Sequence, residues 1–397
     1  MEVLSKRIQQ LQESETLQMA KLSRELRSKG FDIIDLSLGE PDFATPEHIR
    51  EAAKKAIDDG YTKYPPVAGY LDLRQAIAEK FKRENHLEFS PEQILVSTGA
   101  KQSLANVMLV LLDEGDEVII PSPYWVSYRE IVKLAEATMV NIHTTIESNF
   151  KITPAQLEQV ITPQTKLLCF SSPCNPTGSF YSKEELKGLA DVLAKHPQVF
   201  VISDEIYEHI NFTGSHQSIA QFDWMKDRVI IVNGVSKAYS MTGWRLGYIA
   251  APQWITKACD KMQGQITSGA CSISQRAALA AISGDQTPTD NMRTAFKNRR
   301  DLVHRLLLEI PGFKVNEPDG AFYFFPDVSY YFGKTDGETV IKNADDLCMY
   351  VIHKANVSLV TGKAFGDENC IRISYATSED KLIEALRRTK EALAKLS

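Results

Sequence analysis

The sequence has little of what marks secreted, membrane-spanning, metal-binding or nucleic-acid-binding proteins. The N-terminal segment MEVLSKRIQQLQESETLQ is polar, with no apolar core like that of a signal peptide, and no apolar run approaches transmembrane length. The six cysteines include no C-x-x-C pair, and the eight histidines lie apart, without metal-ligand spacing. Positive charges form no basic block. We therefore expect a cytoplasmic protein with reduced thiols, no structural metal and neither membrane nor nucleic acid as a partner.

The size and composition are those of a globular protein with more than one domain. The chain has 397 residues, of which 43% are hydrophobic, and this is enough for a large core. The net charge is −6, and charges of both signs are scattered along the chain. This balance favours solubility, but it does not identify a substrate.

The middle of the chain alternates short apolar runs with longer amphipathic stretches. The apolar runs are residues 94–97, 117–120, 166–171, 199–203, 228–232 and 246–250. The helix-like stretches between them include residues 101–112, 125–134 and 183–194. Continuous β-rich runs separated by helices predict a largely parallel sheet that is covered on both faces.

The pattern changes toward the C-terminus and predicts a second, smaller α+β domain. Its predicted elements are a charged helix at 291–308, an aromatic run at 320–324, a helix at 344–354, a strand at 370–374 and a helix from residue 378. We expect a large domain at 45–288 and a small domain at 289–397. Residues 1–44 form an N-terminal arm whose helix, at 16–30, joins the small domain.

Polar segments follow several of the predicted strands. Thr98-Gly99-Ala100 follows the first apolar run, and SPCNPTG (172–178), DEIY (204–207) and NGVSK (233–237) follow later ones. In an open α/β sheet, ligands bind beyond the carboxyl ends of the strands. We therefore expect these segments to meet in one ligand site.

Three of the segments, SPCNPTG, SDEIY and SKAYSMTGWRLGY, resemble the signature segments of fold-type I, class I aminotransferases. SLGEPDF near the N-terminus and RISYA near the C-terminus complete the set, in the family's order and across essentially the whole chain. The likeness is closest to the prokaryotic-type aspartate aminotransferases. It implies a large domain with a mostly parallel seven-stranded sheet flanked by helices, a smaller α+β domain, pyridoxal 5'-phosphate as cofactor, and a homodimer with shared active sites.

The resemblance assigns four residues to the reacting part of the cofactor. Lys237 holds it as a Schiff base and later moves a proton, which requires an amine that is easily neutralised. Asp204 pairs with the protonated pyridine nitrogen, although an aspartate at a strand–helix junction often caps a helix instead. Tyr207 and Asn175 hydrogen-bond the phenolic oxygen. Lys237, Asp204 and Tyr207 are thus the predicted catalytic residues.

A second group of residues is expected to hold the phosphate. Gly99 and Ala100 begin a predicted helix, so their amides can bind an anion, and Ser236 adds a hydroxyl beside the lysine. Arg245 adds a planar cation. By resemblance, Tyr64 reaches the phosphate in the other subunit of the dimer.

The remaining predicted site residues recognise the amino-acid substrate. Arg372 matches the α-carboxylate bidentately, helped by Gly39 and Asn175. Trp125 stacks on the pyridine face, where an aromatic plane excludes water. Lys101, directly after the phosphate-binding turn, is placed beside the cofactor and can meet a second carboxylate, although a solvated lysine in the first turn of a helix is the simpler interpretation.

Lys101 favours L-aspartate and 2-oxoglutarate as substrates, which a ping-pong reaction converts to oxaloacetate and L-glutamate. Thr16 and a polar group near Ser268 of the partner subunit are expected to assist. Gln12 is neutral, whereas related enzymes that accept prephenate carry a basic residue near this position. Three alternatives stay open: an aromatic or prephenate aminotransferase, a carbon–sulfur lyase on the same fold, and a non-catalytic binding domain.

Overall fold

The apolar runs of the middle region form one central sheet. The computed structural model describes residues 3–397. The strands are β1 (Ile34–Asp35), β2 (Ile94–Ser97), β3 (Glu117–Ser122), β4 (Thr138–His143), β5 (Thr165–Ser171), β6 (Phe200–Asp204), β7 (Val229–Gly234), β8 (Gly247–Ala250), β9 (Tyr323–Phe324), β10 (Val357–Ser358), β11 (Val360–Thr361) and β12 (Ile371–Ser374). The order in the central sheet is β2-β8-β7-β6-β5-β3-β4. β8 pairs antiparallel with both of its neighbours, and the other pairs are parallel. The prediction of a mostly parallel seven-stranded sheet is therefore confirmed.

Helices cover both faces of this sheet. The α-helices within residues 3–397, including those of the second core described below, are α1 (Lys6–Gln10), α2 (Glu15–Ser28), α3 (Glu47–Asp58), α4 (Leu71–Lys80), α5 (Ala100–Leu111), α6 (Ser127–Leu134), α7 (Pro154–Val160), α8 (Lys183–Ala194), α9 (Gln253–Ile266), α10 (Ser272–Ser283), α11 (Thr287–Leu308), α12 (Ala344–Ala355) and α13 (Glu379–Leu393). Successive residues of β3 point to opposite faces, so Ile119 packs in one core cluster and Ile120 in the other. Within residues 3–397, no helix has an apolar stretch that could cross a membrane.

Strand β4 and helix α7 were not predicted from the sequence. β4 lies at the edge of the sheet, and Ile142 is its one buried residue, so it carries no continuous apolar run. An edge strand with one solvated face does not show the pattern that marks the buried strands. The predicted bounds of the other central strands lie within two residues of those observed.

A second core forms around two small sheets. β9, β12 and β11 make an antiparallel sheet, and β1 pairs parallel with β10, which ties the N-terminal segment to the C-terminal region. Helix α2 packs here too, since Leu26 contacts Ile33 and Ile352. The predicted domain boundary at 288/289 falls inside the continuous helix α11. The division into domains therefore stays a prediction.

Candidate active site

A cavity of about 400 Å³ lies at the carboxyl ends of the central strands, bounded by the N-terminal segment and by β9 and β12. Most of the predicted site residues line it: Thr16, Gly39, Ala100, Lys101, Trp125, Asn175, Asp204, Tyr207, Ser236, Lys237, Arg245 and Arg372. These residues come from segments far apart in sequence. The parallel strands bring them together because their carboxyl ends share one edge of the sheet.

Lys237 lies three residues beyond the end of β7, and its Nζ donates a hydrogen bond to the carbonyl oxygen of Gly39. Burial lowers the pKa of the Lys237 ammonium to about 8, and repulsion from Arg372 and Arg245 acts in the same direction. The amine is therefore neutral in a useful fraction of molecules near neutral pH. Such a lysine can attack a carbonyl carbon and can also accept a proton.

Asp204 is the last residue of β6 and is buried. One carboxylate oxygen accepts a hydrogen bond from the Tyr128 hydroxyl at 2.7 Å, and the other accepts from the backbone N–H of Ile206 at 3.3 Å. Burial raises the pKa of Asp204 to about 6, and these hydrogen bonds oppose the rise. Both donors are neutral, so this buried carboxylate can still take a cationic partner from a ligand.

Tyr207 follows β6 and pairs with a tyrosine from strand β9. Its hydroxyl lies 2.8 Å from the hydroxyl of Tyr323, and both residues are buried. Burial raises the pKa of Tyr207 well above its usual value, so the hydroxyl keeps its proton at neutral pH. It can therefore act as a hydrogen-bond donor to a ligand.

Arg372, in β12, is only 2% exposed and is fixed from two sides. Its Nη1 donates to Oδ1 of Asn175 at 3.0 Å, and its Nη2 donates to the Ser37 carbonyl at 2.6 Å. The guanidinium also lies over the rings of Tyr323 and Phe365, 4.6 and 4.8 Å from their centroids. Nε has no hydrogen-bond partner within residues 3–397. The group thus keeps donors for a carboxylate in a fixed orientation.

An anion site lies where helix α5 begins. Gly99 precedes the helix with φ +83°, and a Cβ at this position would come within 2.2 Å of Nη2 of Arg245. Glycine therefore lets the arginine lie directly against the turn. Nη1 of Arg245 donates to the Thr242 carbonyl at 2.9 Å. Together with the hydroxyl of Ser236, this arginine and the helix N-terminus suit a phosphate group.

Lys101 lies in the first turn of helix α5, next to Trp125. Its Nζ is 5.0 Å from the centroid of the indole ring. Although the side chain as a whole is exposed, the protein around the ammonium lowers the pKa of Lys101, and Arg245 lowers it further. An adjoining pocket of about 240 Å³ shares this lysine and also contains Gln12 and Arg129. Gln12 Oε1 accepts a hydrogen bond from Arg129 Nη2 at 3.0 Å.

Three of the residues considered in the sequence lie outside the cavity. Gly99 is buried behind it, against Arg245. Tyr64 is 96% exposed, and Ser268 lies on the chain between α9 and α10. Tyr64 and Ser268 were both predicted to act on the other subunit, so their roles stay predictions.

Two tyrosines of the site were missed from the sequence. Tyr128, which contacts Asp204, lies three residues after Trp125, and the two rings meet edge to face with centroids 5.6 Å apart. In the predicted helix 125–134, Tyr128 lies about one turn from Trp125, and this spacing could have indicated that Tyr128 also faces the site. Tyr323 lies in the aromatic run 320–324, where the strand pattern did not show which side chain faces the site.

Comparison with known proteins defines the class. The family model for aminotransferase class I and II matches residues 32–389. The chain belongs to this family and is an aminotransferase. This supports the aminotransferase prediction over the carbon–sulfur lyase and the non-catalytic domain.

Individual relatives narrow the class further. The chain is 48% identical to the bifunctional aspartate aminotransferase and glutamate/aspartate-prephenate aminotransferase of Petunia hybrida, over 98% of this chain and 82% of that protein. It is 44% identical to the aspartate aminotransferase of Bacillus subtilis, over 99% and 100% of the two chains. The crystal structure of the Rhizobium meliloti aspartate aminotransferase superposes with a TM-score of 0.96, at 44% identity and over 99% of each chain. The Thermus thermophilus aspartate aminotransferase with maleate has a TM-score of 0.93, at 40% identity and over 99% and 100%.

Proposed function

We propose that this protein is an aspartate aminotransferase that uses pyridoxal phosphate to transfer the amino group of L-aspartate to 2-oxoglutarate. The observation that carries the proposal is the set of charges in one cavity. A buried carboxylate and a lysine of lowered pKa serve the cofactor. Arg372 and Lys101 add two cations that suit the two carboxylates of the substrate.

The residues present fit this cofactor. Asp204 is a buried carboxylate whose protein partners are neutral, which suits a protonated ring nitrogen. The turn at Gly99, with Arg245 and Ser236, suits the phosphate. Lys237 is the amine in this cavity that would hold the cofactor covalently. Trp125 lines the same cavity and offers an aromatic plane for the ring.

The chemistry divides between the cofactor and the side chains. When bound, pyridoxal phosphate supplies an electron-withdrawing ring that weakens the bond between the α-carbon and its hydrogen. Lys237 would take that proton on Nζ, since its lowered pKa makes the neutral amine accessible near neutral pH. Asp204 would hold the positive charge of the ring nitrogen, and the protonated Tyr207 would donate its hydroxyl to the phenolic oxygen. Arg372 orients the α-carboxylate.

Aspartate as the substrate rests on Lys101 and on the relatives. The prokaryotic relatives include proteins named aspartate aminotransferase, and the Thermus structure contains maleate, which is a dicarboxylate. In this chain, the second carboxylate of a dicarboxylic substrate would meet the Lys101 ammonium. Because one lysine selects charge less strictly than a bidentate arginine, we expect weaker activity with aromatic amino acids as well.

Prephenate is a second candidate substrate. Relatives at 46–48% identity are named aspartate/prephenate aminotransferases or bear the bifunctional name. The pocket that adjoins Lys101 gives room for a larger side chain, and its Arg129 is a further cation. Gln12 is bound to this arginine, so an acidic substrate would have to compete for it. Measurement of prephenate as amino acceptor, with aspartate as donor, decides between one substrate pair and two.

We also propose a homodimer in the cytoplasm. The exposed Tyr64 would then meet the phosphate of the partner's cofactor, as the family resemblance implies. The six cysteines are free, and most of them are buried, which suits a reducing compartment. Sedimentation of the purified protein tests the dimer.

Titration of the cofactor-loaded protein tests the proposed reaction. L-Aspartate should bleach the visible absorption band of the bound cofactor, and 2-oxoglutarate should restore it. Lys101→Met should lower kcat/KM for aspartate by about 10- to 100-fold, the loss of one hydrogen bond to a charged group, and affect phenylalanine much less. Lys187→Met is a matched control, because Lys187 lies 5.7 Å from the Trp224 ring centroid but outside the cavity. A Lys101 variant that retains the wild-type value for aspartate would refute the substrate assignment.

A further inference from the structure

A buried charged network lies behind the cavity, on the far side of the segment that carries Asp204 and Tyr207. We call it the Glu208 network, and it consists of Lys80, Asn85, Glu208 and Asn233. Lys80 is the last residue of α4 and is 1% exposed, and Glu208 is 6% exposed. None of the four lines the cavity. A charged pair buried this deeply needs a physical explanation.

Glu208 is bonded to two parts of the fold at once, the end of the helical segment 71–85 and strand β7. Its Oε1 accepts hydrogen bonds from the Lys80 ammonium and, at 2.7 Å, from the side-chain amide of Asn233. Its Oε2 accepts from the Asn85 amide at 3.0 Å. Asn85 Oδ1 in turn accepts from Lys80 Nζ at 3.0 Å. Burial would raise the pKa of Glu208, but the Lys80 ammonium, together with His209 and His216, holds this pKa well below its usual range.

The network joins the two segments that carry the reacting groups. Glu208 follows Tyr207 directly and lies four residues after Asp204. Asn233 lies near the end of β7, four residues before Lys237, and its Oδ1 accepts the backbone N–H of Gly234 at 2.7 Å. β6 and β7 pair directly, and Glu208 adds a second connection, between the turn that follows β6 and the strand end that leads to Lys237.

Glu205 anchors the other end of the same segment. It is fully buried and accepts hydrogen bonds from the hydroxyls of Ser203 and Ser218 at 2.8 and 2.6 Å, and it lies 2.9 Å from His216 Nε2. Asp204 thus faces the cavity, while the next residue is tied to the protein behind it. Glu205 and Glu208 therefore both hold the backbone of residues 205–208 from behind the cavity.

The network already contains its cation. Two groups have atoms close enough together for a metal site: Glu84, Glu208 and His209, and Glu205, Glu208 and His216. Both depend on Glu208, whose oxygens are taken by Lys80 and two amides. Lys80 Nζ also lies 3.8 Å from Glu84. Because the oxygens of Glu208 are already bonded to the Lys80 ammonium and to two amides, we assign no metal to either group.

A buried ion pair is not explained by stability. Removing two charges from water costs as much as their attraction returns, and apolar residues of similar volume often replace such pairs without loss of stability. Apolar residues do not replace the direction of these bonds, because Glu208 holds three donors from two segments at fixed distances. Misplacement of a reacting group by about 1 Å can reduce a rate about a hundredfold.

We propose that Lys80 and Glu208 are positioning residues that fix Asp204 and Tyr207 relative to Lys237. The proposal rests on the proposed function, because these three residues act on the cofactor only if the chain binds it. The pair acts through the backbone of 204–208 and through Asn233, without touching substrate or cofactor.

The double variant Lys80→Met/Glu208→Leu separates positioning from stability. The cofactor-free double variant should melt somewhat below wild type, because the buried amides of Asn85 and Asn233 lose their acceptor, although no unpaired charge is left behind. Its kcat for aspartate should fall at least about tenfold, with KM changed much less. The pH midpoint of the cofactor's visible band should shift by about half a unit or more, because Asp204 and Tyr207 set the charge on the ring. A wild-type kcat together with a wild-type midpoint would overturn the proposal.

Asn233→Ala provides a second test if the double variant does not fold. It keeps the ion pair and removes the amide link to Glu208, together with the hydrogen bond that Asn233 accepts from the backbone N–H of Gly234. We expect a smaller fall in kcat and a band shift in the same direction, and an unchanged band would again overturn the proposal. Thr165→Val is the control, since Thr165 is also buried but begins β5, at the end of the sheet away from the site. It should lose stability and keep the wild-type band.

The outcomes distinguish this inference from the proposed function. If the wild-type chain forms no visible band with pyridoxal phosphate, the proposed function fails. If wild type forms the band and responds to aspartate, but the double variant and Asn233→Ala both match it, only the positioning role fails.

Discussion

Replacement of Arg372 by lysine is the sharpest test of the substrate geometry. The change keeps the positive charge but removes the planar fork. The wild-type guanidinium uses one donor on Asn175 and one on the Ser37 carbonyl, and it has three N–H groups left for a carboxylate. A lysine has three donors in all, so it cannot satisfy both protein acceptors and also bind a carboxylate through two hydrogen bonds.

The expected loss follows from one missing charge-assisted hydrogen bond. Such a bond contributes about 1.5–3 kcal/mol, which corresponds to about 10- to 150-fold in kcat/KM. Steady-state assays with L-aspartate should show this loss, while cofactor binding stays unchanged. Arg228→Lys is the matched control, because Arg228 Nη1 also donates to backbone carbonyls, at 3.0–3.2 Å, but just before β7 begins. An Arg372→Lys enzyme within about threefold of wild type would refute the assignment.

Two further predictions concern the cofactor site. Because burial raises the folded-state pKa of Asp204 from 3.8 to about 6, this group stabilises the cofactor-free chain below its unfolded pKa, and the contribution is lost as pH rises through the folded pKa. In urea denaturation, the stability of wild type relative to Asp204→Asn should therefore fall by about 2 kcal/mol between pH of about 4 and 7, and a difference independent of pH contradicts this. If Tyr64 meets the partner's cofactor as we propose, Tyr64→Phe should weaken cofactor affinity about tenfold in a spectroscopic titration, and the melting temperature of the cofactor-free chain should not change because this side chain is exposed; unchanged affinity would remove Tyr64 from the phosphate site.

Local pattern was enough to predict most of the sheet. The buried strands carry continuous apolar runs, and their order with the helices between them predicted a parallel sheet with a site at its carboxyl edge. β4 was not predicted because it lies at the edge of the sheet, where most of its residues are partly or fully exposed. Single residues within motifs, such as Lys237 and Asp204, could be named because the motifs are contiguous in sequence.

Contacts between distant segments could not be predicted in the same way. Tyr128 and Asp204 are 76 residues apart, and Lys80 and Glu208 are 128 apart. Lys80 was not singled out in the sequence. Its burial depends on how α4 docks on the sheet, and this is a property of tertiary packing that no local period contains.

Chemical trapping of the cofactor tests the central claim, that Lys237 holds pyridoxal phosphate, most directly. Borohydride reduction of the cofactor-loaded protein, followed by proteolysis and mass spectrometry, locates any lysine joined to the cofactor. We predict one reduced adduct, on the peptide that contains Lys237, and none on that peptide in the Lys237→Ala variant. An adduct confined to another lysine, such as Lys101, or no adduct in protein that binds the cofactor, would contradict it.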